Sequence, residues 1–347
     1  MPIHGRRRQD YVRRAEFRLG LARGIGHLRR NVLGSPQSLQ ALTYDTAFRS
    51  DREALTYFYC TGNDHFPDLD EPTWINEKIR WQLLNHPNPL ITLAADKLAV
   101  RDYLRWKGAR IEAPRLLASG TDPDAVERVD LPDRFVLKSN FASGHNYIVA
   151  EGGRRLPRAE LAAQLRRWMA IDYWRKNGEL QYRDIPKRWL VEEYLPAARE
   201  KVEYKAFCFH GEPMCFLVIT ERDYLGRQGK AGILHAFYDP DWQRLDMGMR
   251  GFPTDPRAVP RPAELPLLVS EARRLSADFM QVRVDFLKFD GRLTFSELTF
   301  SCNGARVPYT PDAQNLAMGE LIDLTRSDHY LEIGRGTVHA MRQRLAA

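Results

Sequence analysis

Apolar residues recur with two different periods along this chain, and the change falls near residue 111. Over 35–90 the spacing is helical. Within 73–84, Ile75, Ile79 and Leu83 lie at i, i+4 and i+8, one stripe of an amphipathic helix. His86-Pro87-Asn88-Pro89 ends it, because proline lacks the N–H and clashes with the preceding turn. Asp96 is placed to cap a further helix through Leu104, with Lys97 in its first turn. A cation there opposes the helix dipole, so Lys97 either meets a partner anion or is simply solvated.

Past residue 111 the runs shorten and alternate, and the texture becomes α+β. Arg115-Leu-Leu-Ala is a short strand. Strands over 134–138 and 146–150 flank a polar loop, and a helix follows over 156–170. Arg188-Trp-Leu-Val-Glu-Glu-Tyr-Leu reads as an apolar strand that ends in acids. Runs at 204–209 and 214–220 predict a hairpin across His210-Gly211-Glu212. A loop rich in Gly and Arg follows at 226–230, then a helix over 263–279. A last hairpin, 282–289 with 293–300, turns at Asp290-Gly291, a dipeptide suited to a two-residue turn.

The chain has 347 residues, 44% hydrophobic and 28% charged, enough for two or three compact units with a sizeable core. No apolar run reaches about 18 residues, so no membrane span is expected. The arginine-rich N-terminus lacks the apolar core of a signal peptide, which favours the cytoplasm. Cys60, Cys208, Cys215 and Cys302 show neither a CxxC pair nor zinc spacing, and read as free thiols in a reducing compartment.

Charge changes this picture at one end only. Residues 1–34 hold nine arginines against Asp10 and Glu16, whereas the remainder balances 43 basic with 43 acidic residues, so the net +7 belongs to the arm. There Arg6-Arg7-Arg8, Arg13-Arg14 and Arg29-Arg30 alternate with Val12, Phe17, Leu19, Leu21, Ile25, Leu28 and Leu33. Such a basic amphipathic helix either makes peripheral contact with an anionic membrane, at its inner face, or docks on the protein itself. Gly20, Gly24 and Gly26 weaken it. A neutral body with no nucleic-acid motif argues against nucleic acid as a partner.

Candidate chemistry lies where charges interrupt apolar strands. No GxxxxGK[ST], complete GxGxxG, HExxH or GxSxG is present. In Val282-Arg283-Val284-Asp285-Phe286, Arg283 and Asp285 share one face, and Glu297 and Thr299 share a face of the returning strand. A two-residue turn pairs Phe289 with Arg292 and hence Asp285 with Ser296, leaving Glu297 one step out of register. A bulge would bring the carboxylates together. Two carboxylates and a hydroxyl suit a hard cation such as Mg²⁺, and Arg283 suits a phosphate oxygen. An exposed, salt-bridged hairpin is the plain alternative. Lys138 ends a buried-looking strand just before Ser143-Gly144-His145-Asn146. It is either a solvated hairpin lysine or part of a loop folded over phosphates.

Taken together, these stretches resemble the ATP-grasp family over roughly residues 91–310. The order is Asp96-Lys97, Phe135-Val-Leu-Lys138 before a Ser/Gly loop, Val191-Glu-Glu-Tyr-Leu195, Glu203-Tyr-Lys-Ala-Phe-Cys-Phe209, Arg283-Val-Asp285 and Glu297-Leu-Thr299. More narrowly, the chain is similar to the TupA-like ATP-grasp proteins of polysaccharide and teichuronopeptide gene clusters. Glu77-Lys-Ile-Arg-Trp, Asp96-Lys-Leu-Ala-Val-Arg-Asp-Tyr, Arg183-Asp-Ile-Pro-Lys-Arg, Phe237-Tyr-Asp-Pro-Asp-Trp and Glu297-Leu-Thr-Phe carry that likeness.

The resemblance implies an α+β ATP-grasp fold, two α+β subdomains gripping ATP, with a mainly helical N-terminal extension. The expected division is a basic arm at 1–34, a helical extension at 35–110, a lid subdomain at 111–195, a C-terminal subdomain with the metal site at 196–330, and a tail helix at 331–347. Lys97 and Lys138 would bind the α- and β-phosphates, with Ser143 and Gly144 in the lid. Glu192, Glu193, Tyr194 and Leu195 would form the adenine hinge. Glu193 or Glu203 would take the ribose hydroxyls, and Lys205 would reach phosphate or substrate. Asp285, Glu297 and Thr299 would hold Mg²⁺, with Arg283 on the γ-phosphate; Arg283 and Lys138 are the catalytic pair. The implied reaction joins a carboxylate to an amine, the substrates either free or glycan-linked, through an acylphosphate at the expense of ATP.

Two positions depart from the wider family. Thr299 stands where an asparagine is usual, so Asn303 could complete the metal site instead. His145 stands in the lid where a glycine is common. Two other functions stay open: a kinase of the same fold acting on a sugar hydroxyl, and a glycosyltransferase using Asp68-Leu-Asp70, Asp122-Pro-Asp124 or Asp239-Pro-Asp241 as a metal-binding DxD. Arg222, Arg227, Lys230 and His235, in the 221–262 region, could meet an acidic acceptor.

Overall fold

The computed structural model describes residues 2–34, 38–150, 153, 155–196, 201–222 and 232–346. Six helices come first: α1 (Pro2–Asn31), α2 (Leu39–Ala47), α3 (Asp51–Cys60), α4 (Ile75–Asn85), α5 (Pro89–Ala95) and α6 (Val100–Lys107). Ser38 and Ser50 cap α2 and α3, each hydroxyl accepting a backbone N–H three residues on. Among the described residues no strand precedes Leu116, as the helical spacing over 35–90 predicts.

The helix expected from Asp96 starts later than its cap suggested. Asp96 Oδ1 accepts the N–H groups of Leu98 and Ala99, but this closes a tight turn, and α6 begins at Val100. Lys97 therefore sits in the turn between two helices rather than in a helix's first turn. Its own N–H donates to the Asn140 carbonyl, 3.2 Å away, across to the first sheet.

That sheet has four strands: β1 (Leu116–Gly120), β2 (Phe135–Ser139), β3 (Asn146–Val149) and, after helix α7 (Arg158–Met169), β4 (Trp189–Glu193). Their spatial order is β1-β4-β2-β3, all antiparallel. Alternation sorts the faces. Phe135, Leu137, Trp189 and Val191 pack with Leu161, Ala162 and Leu165 of α7, while Lys138 and Glu192 point the other way.

The second sheet is built from β5 (Lys201–Phe209), β6 (Glu212–Arg222), β7 (Ile233–Tyr238) and β8 (Arg244–Leu245), then β10 (Gln281–Phe289) and β11 (Arg292–Thr299). A small pair, β9 (Gly248–Met249) with β12 (Tyr309–Thr310), lies apart from it, and α8 (Leu265–Ser276), α9 (Ala313–Glu320) and α10 (Ser327–Ala346) complete the chain. The six strands run in the order β11-β10-β5-β6-β7-β8. Both hairpins predicted here form, with two-residue turns at His210-Gly211 and Asp290-Gly291.

This sheet is buried on both faces. Tyr204, Ala206, Phe216, Val218, Val284 and Phe286 join Leu265, Leu268 and Ala272 of α8 in the larger core. The alternate residues Phe207, Cys215, Leu217 and Phe237 pack on Ile75 and Ile79 of α4 and on Met318 beyond. Each buried Val, Leu, Ile, Phe or Met among them stabilises the fold by about 1.5–3 kcal/mol, so both faces are firmly covered. At one end of the second face apolar residues give way to Glu203, Lys205, Arg283 and Asp285. That polar end faces the first sheet's Lys138 and Glu192 through Lys97.

Candidate functional site

The last hairpin decides the geometry. From its turn the pairs run Phe289↔Arg292, Lys288↔Leu293, Leu287↔Thr294 and Phe286↔Phe295, as a two-residue turn dictates. The register then shifts, Ser296 is left over, and Asp285 faces Glu297 with Arg283 facing Thr299. The bulge thus places both carboxylates, the hydroxyl and the guanidinium on one face.

The charges there are tightly paired. Asp285 is fully buried, and its two oxygens accept from Arg283 Nε at 2.6 Å, Arg283 Nη2 at 2.7 Å and Lys205 Nζ at 2.6 Å. Burial alone would raise the Asp285 pKa, but Arg283 and Lys205 hold it below the usual carboxylate range. Lys205 also lies 3.1 Å from Glu203, and although burial pulls its pKa down, Asp285 and Glu203 more than offset this. Thr299 Oγ1 donates to Glu297 Oε1 at 3.2 Å and accepts from Arg283. Asn303 instead directs its amide toward the sulfurs of Cys302 and Met249. Thr299, not Asn303, is therefore the polar side chain beside the carboxylates.

Two lysines arrive from the other side. Lys138 Nζ donates to the buried Glu192 carboxylate at 2.5 Å, and Arg101 holds the second Glu192 oxygen. Burial would raise the Glu192 pKa, but Lys138 and Arg101 lower it. Lys97 Nζ donates to the Ala142 carbonyl at 2.7 Å and lies 4.0 Å from Glu297, so it spans the gap between the sheets. Burial lowers its pKa against the pull of Glu297. The loop after Lys138 is closed at its base by Ser139 N–H to His145 O. Its tip, Ser143-Gly144, is exposed, and Gly144 has φ +77°, a left-handed conformation that only glycine adopts without strain.

The expected hinge residues end β4. The Glu193 carboxylate accepts from Arg115 N–H and from Arg292 at the turn of the last hairpin, tying the sheets together. Tyr194 and Leu195 are half-buried beyond it. Glu203 lines a cavity of about 130 Å³ with Lys201, Ile219, Thr220 and Arg222.

Other candidates fall elsewhere. Asp68, Asp122 and Asp239 each accept a backbone N–H two residues on, so all three DxD sequences are turns. His235 is fully buried within β7, its Nε2 accepting from Met249 N–H, and it reaches no acceptor space. Arg222 is held by Glu203. Arg227 and Lys230 lie outside the described residues.

Comparison with protein-family profiles matches residues 77–323 to the family described as TupA-like ATPgrasp, well over half of the chain. The chain belongs to the TupA-like ATP-grasp family. Its fold is the α+β ATP-grasp fold with a mainly helical N-terminal region. Among solved structures it is similar to a D-alanine–D-alanine ligase from Bacillus anthracis, at 16% identity over 69% of each chain and a TM-score of 0.34. It is also similar to the ATP-grasp ligase PsnB complexed with minimal precursor, at 17% identity over 62% of this chain and 55% of that one, TM-score 0.35. An N5-carboxyaminoimidazole synthase from Aspergillus clavatus matches at 13% identity over 62% and 46%, TM-score 0.34. These superpositions are loose, and the family membership rests on the 77–323 match. No curated protein matches the chain.

In this TupA-like chain the donor set fits a hard cation: two carboxylates and a hydroxyl, all oxygen. Among the described residues no three His, Cys, Asp or Glu side chains gather, so further ligands would come from phosphate or water. Mg²⁺, which keeps several such ligands, suits that deficit.

Two side chains that sequence reasoning passed over support the site. Arg101 is the second cation on Glu192. Arg80, buried in α4, donates Nη2 to Gly304 O at 2.8 Å and Nε to Ala305 O at 3.3 Å. It clamps a run of three left-handed residues, Asn303, Gly304 and Ala305, next to the Arg283–Cys302 contact. Both arginines lie within stretches quoted for the family likeness, but nothing in their spacing names their partners.

His145 yields a pH prediction. It stacks on Trp168 with ring centroids 5.1 Å apart, and its Nδ1 is 3.0 Å from Ser139 Oγ. Burial, then Lys97 and Lys176, push its pKa down to about 4. The unfolded chain takes up this proton near pH ~6.5 and the native state only near 4, so stability falls as pH drops through that window. His145→Phe keeps a ring on Trp168 and removes the titration. Its melting temperature should decline less than wild type between those limits. Parallel curves would rule out this origin.

Proposed function

We propose that this protein is an ATP- and Mg²⁺-dependent carboxylate–amine ligase acting in bacterial cell-surface polysaccharide or peptidopolymer biosynthesis. The observation that carries the reading is the meeting of two charged clusters where the sheets come together: Lys205 and Arg283 on Asp285, Lys138 on Glu192, and Lys97 between them, 4.0 Å from Glu297. Lys97 and Lys138 would bind the α- and β-phosphates beneath the Ser143-Gly144 lid, and Lys205 would extend that cationic floor. Glu192 to Leu195 would border the adenine. Glu193 or Glu203 would take the ribose hydroxyls; Glu203 lines a cavity, and each carboxylate is already held by an arginine, Arg292 and Arg222 respectively. Asp285, Glu297 and Thr299 would hold Mg²⁺, which when bound neutralises phosphate charge.

Arg283 and Lys138 then act as the catalytic cations. The substrate carboxylate attacks the γ-phosphorus, forming a C–O–P anhydride and releasing ADP. An amine attacks the acyl carbon, phosphate leaves, and the amine proton passes to solvent. Fixed cations stabilise the charge that moves, and a closed lid keeps water from the acylphosphate. No enzyme nucleophile takes part.

Thermal unfolding with and without Mg-ATP tests the nucleotide site. A ligand at a hundred times its Kd adds about 2.7 kcal/mol, and Lys138→Ala and Glu297→Ala should each abolish the Mg²⁺-dependent rise. ADP release would then be screened with amino acids and uronic acids as carboxylates. An amide product supports the ligase, and a phosphorylated hydroxyl would replace it with the kinase. No shift at millimolar Mg-ATP would sink the proposal.

A further inference from the structure

We infer that the outer face of α1 is a docking surface for an anionic lipid bilayer. α1 is a 30-residue helix, about 45 Å long, held against the protein along one side. Ala15 and Ala22 are buried there, Arg8 donates to the carbonyls of Cys60 and Asn63, and Arg18 pairs with Glu53. Residues four and seven apart then place a different set outward. Phe17, Leu21 and Leu28 are 74%, 59% and 55% exposed, and Val32 and Leu33, just past the helix end, are 69% and 72% exposed.

Five of the eleven exposed large hydrophobic side chains among the described residues thus lie on this one segment, so the stripe is not scattered surface apolarity. Charge selects the occupant. Arg6, Arg7, Arg13 and Arg14 toward one end and Arg29 and Arg30 at the other are exposed, against the acids Asp10 and Glu16. The remaining chain is neutral, so attraction to an anionic surface is concentrated at this helix. An apolar stripe flanked by arginines suits a helix lying in the headgroup region. A second copy would bring the same positive face against itself, and nucleic acid has no use for the apolar stripe. The inference does not depend on the reaction catalysed elsewhere in the chain.

Flotation of the full chain with vesicles tests it, using phosphatidylcholine alone and phosphatidylcholine mixed with phosphatidylglycerol. Wild type should float with the mixed vesicles only, and less so in high salt. Each basic residue near an anionic surface strengthens binding about fivefold. Changing Arg6, Arg7, Arg13 and Arg14 together to Gln should therefore weaken binding by about two orders of magnitude or more. Phe17→Ser, Leu21→Ser and Leu28→Ser together should abolish flotation without moving the melting temperature, because these side chains are exposed. Equal binding to both vesicle types, no binding to either, or undiminished binding by the serine variant would overturn the inference. So would a concentration-dependent dimer that the serine variant dissolves while vesicles bind neither form.

Discussion

Asp285→Asn is expected to lower ADP release by about 10²–10³-fold and to cost about 3–5 kcal/mol of folding stability. The side chain keeps its shape, so the effect is one of charge. Asp285 is fully buried, and Arg283 and Lys205 are nearly so. Removing the carboxylate leaves two buried cations with their shared counter-charge gone. The Glu203 and Glu297 carboxylates, 3.1 Å from Lys205 and 3.9 Å from Arg283, compensate only in part.

A second readout separates lost chemistry from simple damage. With one negative charge fewer among four cations, metal-free ATP should bind at least as tightly as to wild type, while the gain from adding Mg²⁺ disappears. Titration of ATP with and without Mg²⁺, beside chemical denaturation, measures both. If stability changes by less than about 0.5 kcal/mol, the ordinary range for an uncoupled surface change, and Mg²⁺ still tightens ATP, then the pairing does not govern the site.

Arg80→Met should cost about 3 kcal/mol and slow turnover while leaving the KM for ATP nearly unchanged. Each carbonyl left buried without a donor costs about 1–3 kcal/mol, partly offset because methionine needs no desolvation. Arg80 is buried, and burial, with the nearby Arg306 adding to it, pushes its pKa down to about 9. The left-handed Asn303 and Ala305 have φ of 50° and 49°, a conformation unfavourable by roughly 1 kcal/mol per residue outside glycine. Asn63 and Asn76 hold the next two carbonyls, of Arg306 and Val307. The helical region thus braces the segment that places Cys302 against Arg283. Arg80→Lys should fail to rescue, since one ammonium cannot reproduce the planar fork. A variant with wild-type stability and turnover would show that the clamp is dispensable.

Much of this architecture was legible in residue order. The change of period near 111 separates the helical region from the sheets. Asp290-Gly291 is a turn because its φ values of 46° and 84° suit those residue types. Two alternating strands either side of it follow directly. The helix after Asp96 was legible in kind but misplaced by three residues, because an Asx turn and a helix cap look alike in sequence. The small pair β9–β12 carries too few residues for any period to be read.

Residue types and their local spacing were enough to assign the family, to place Arg283 and Asp285 on one face, and to show that the basic charge lies in the first 34 residues. Those properties depend on neighbours along the chain. The tertiary structure alone decided that Ser296 bulges so that Asp285 meets Glu297, that Lys97 spans two sheets, and that Arg80 reaches Gly304 across 224 positions of sequence. A one-residue slip turns every side chain of a strand to its other face, and only packing on both sides of the sheet selects the register. Charge pairing likewise depends on distance, which residue order leaves open until the core has closed.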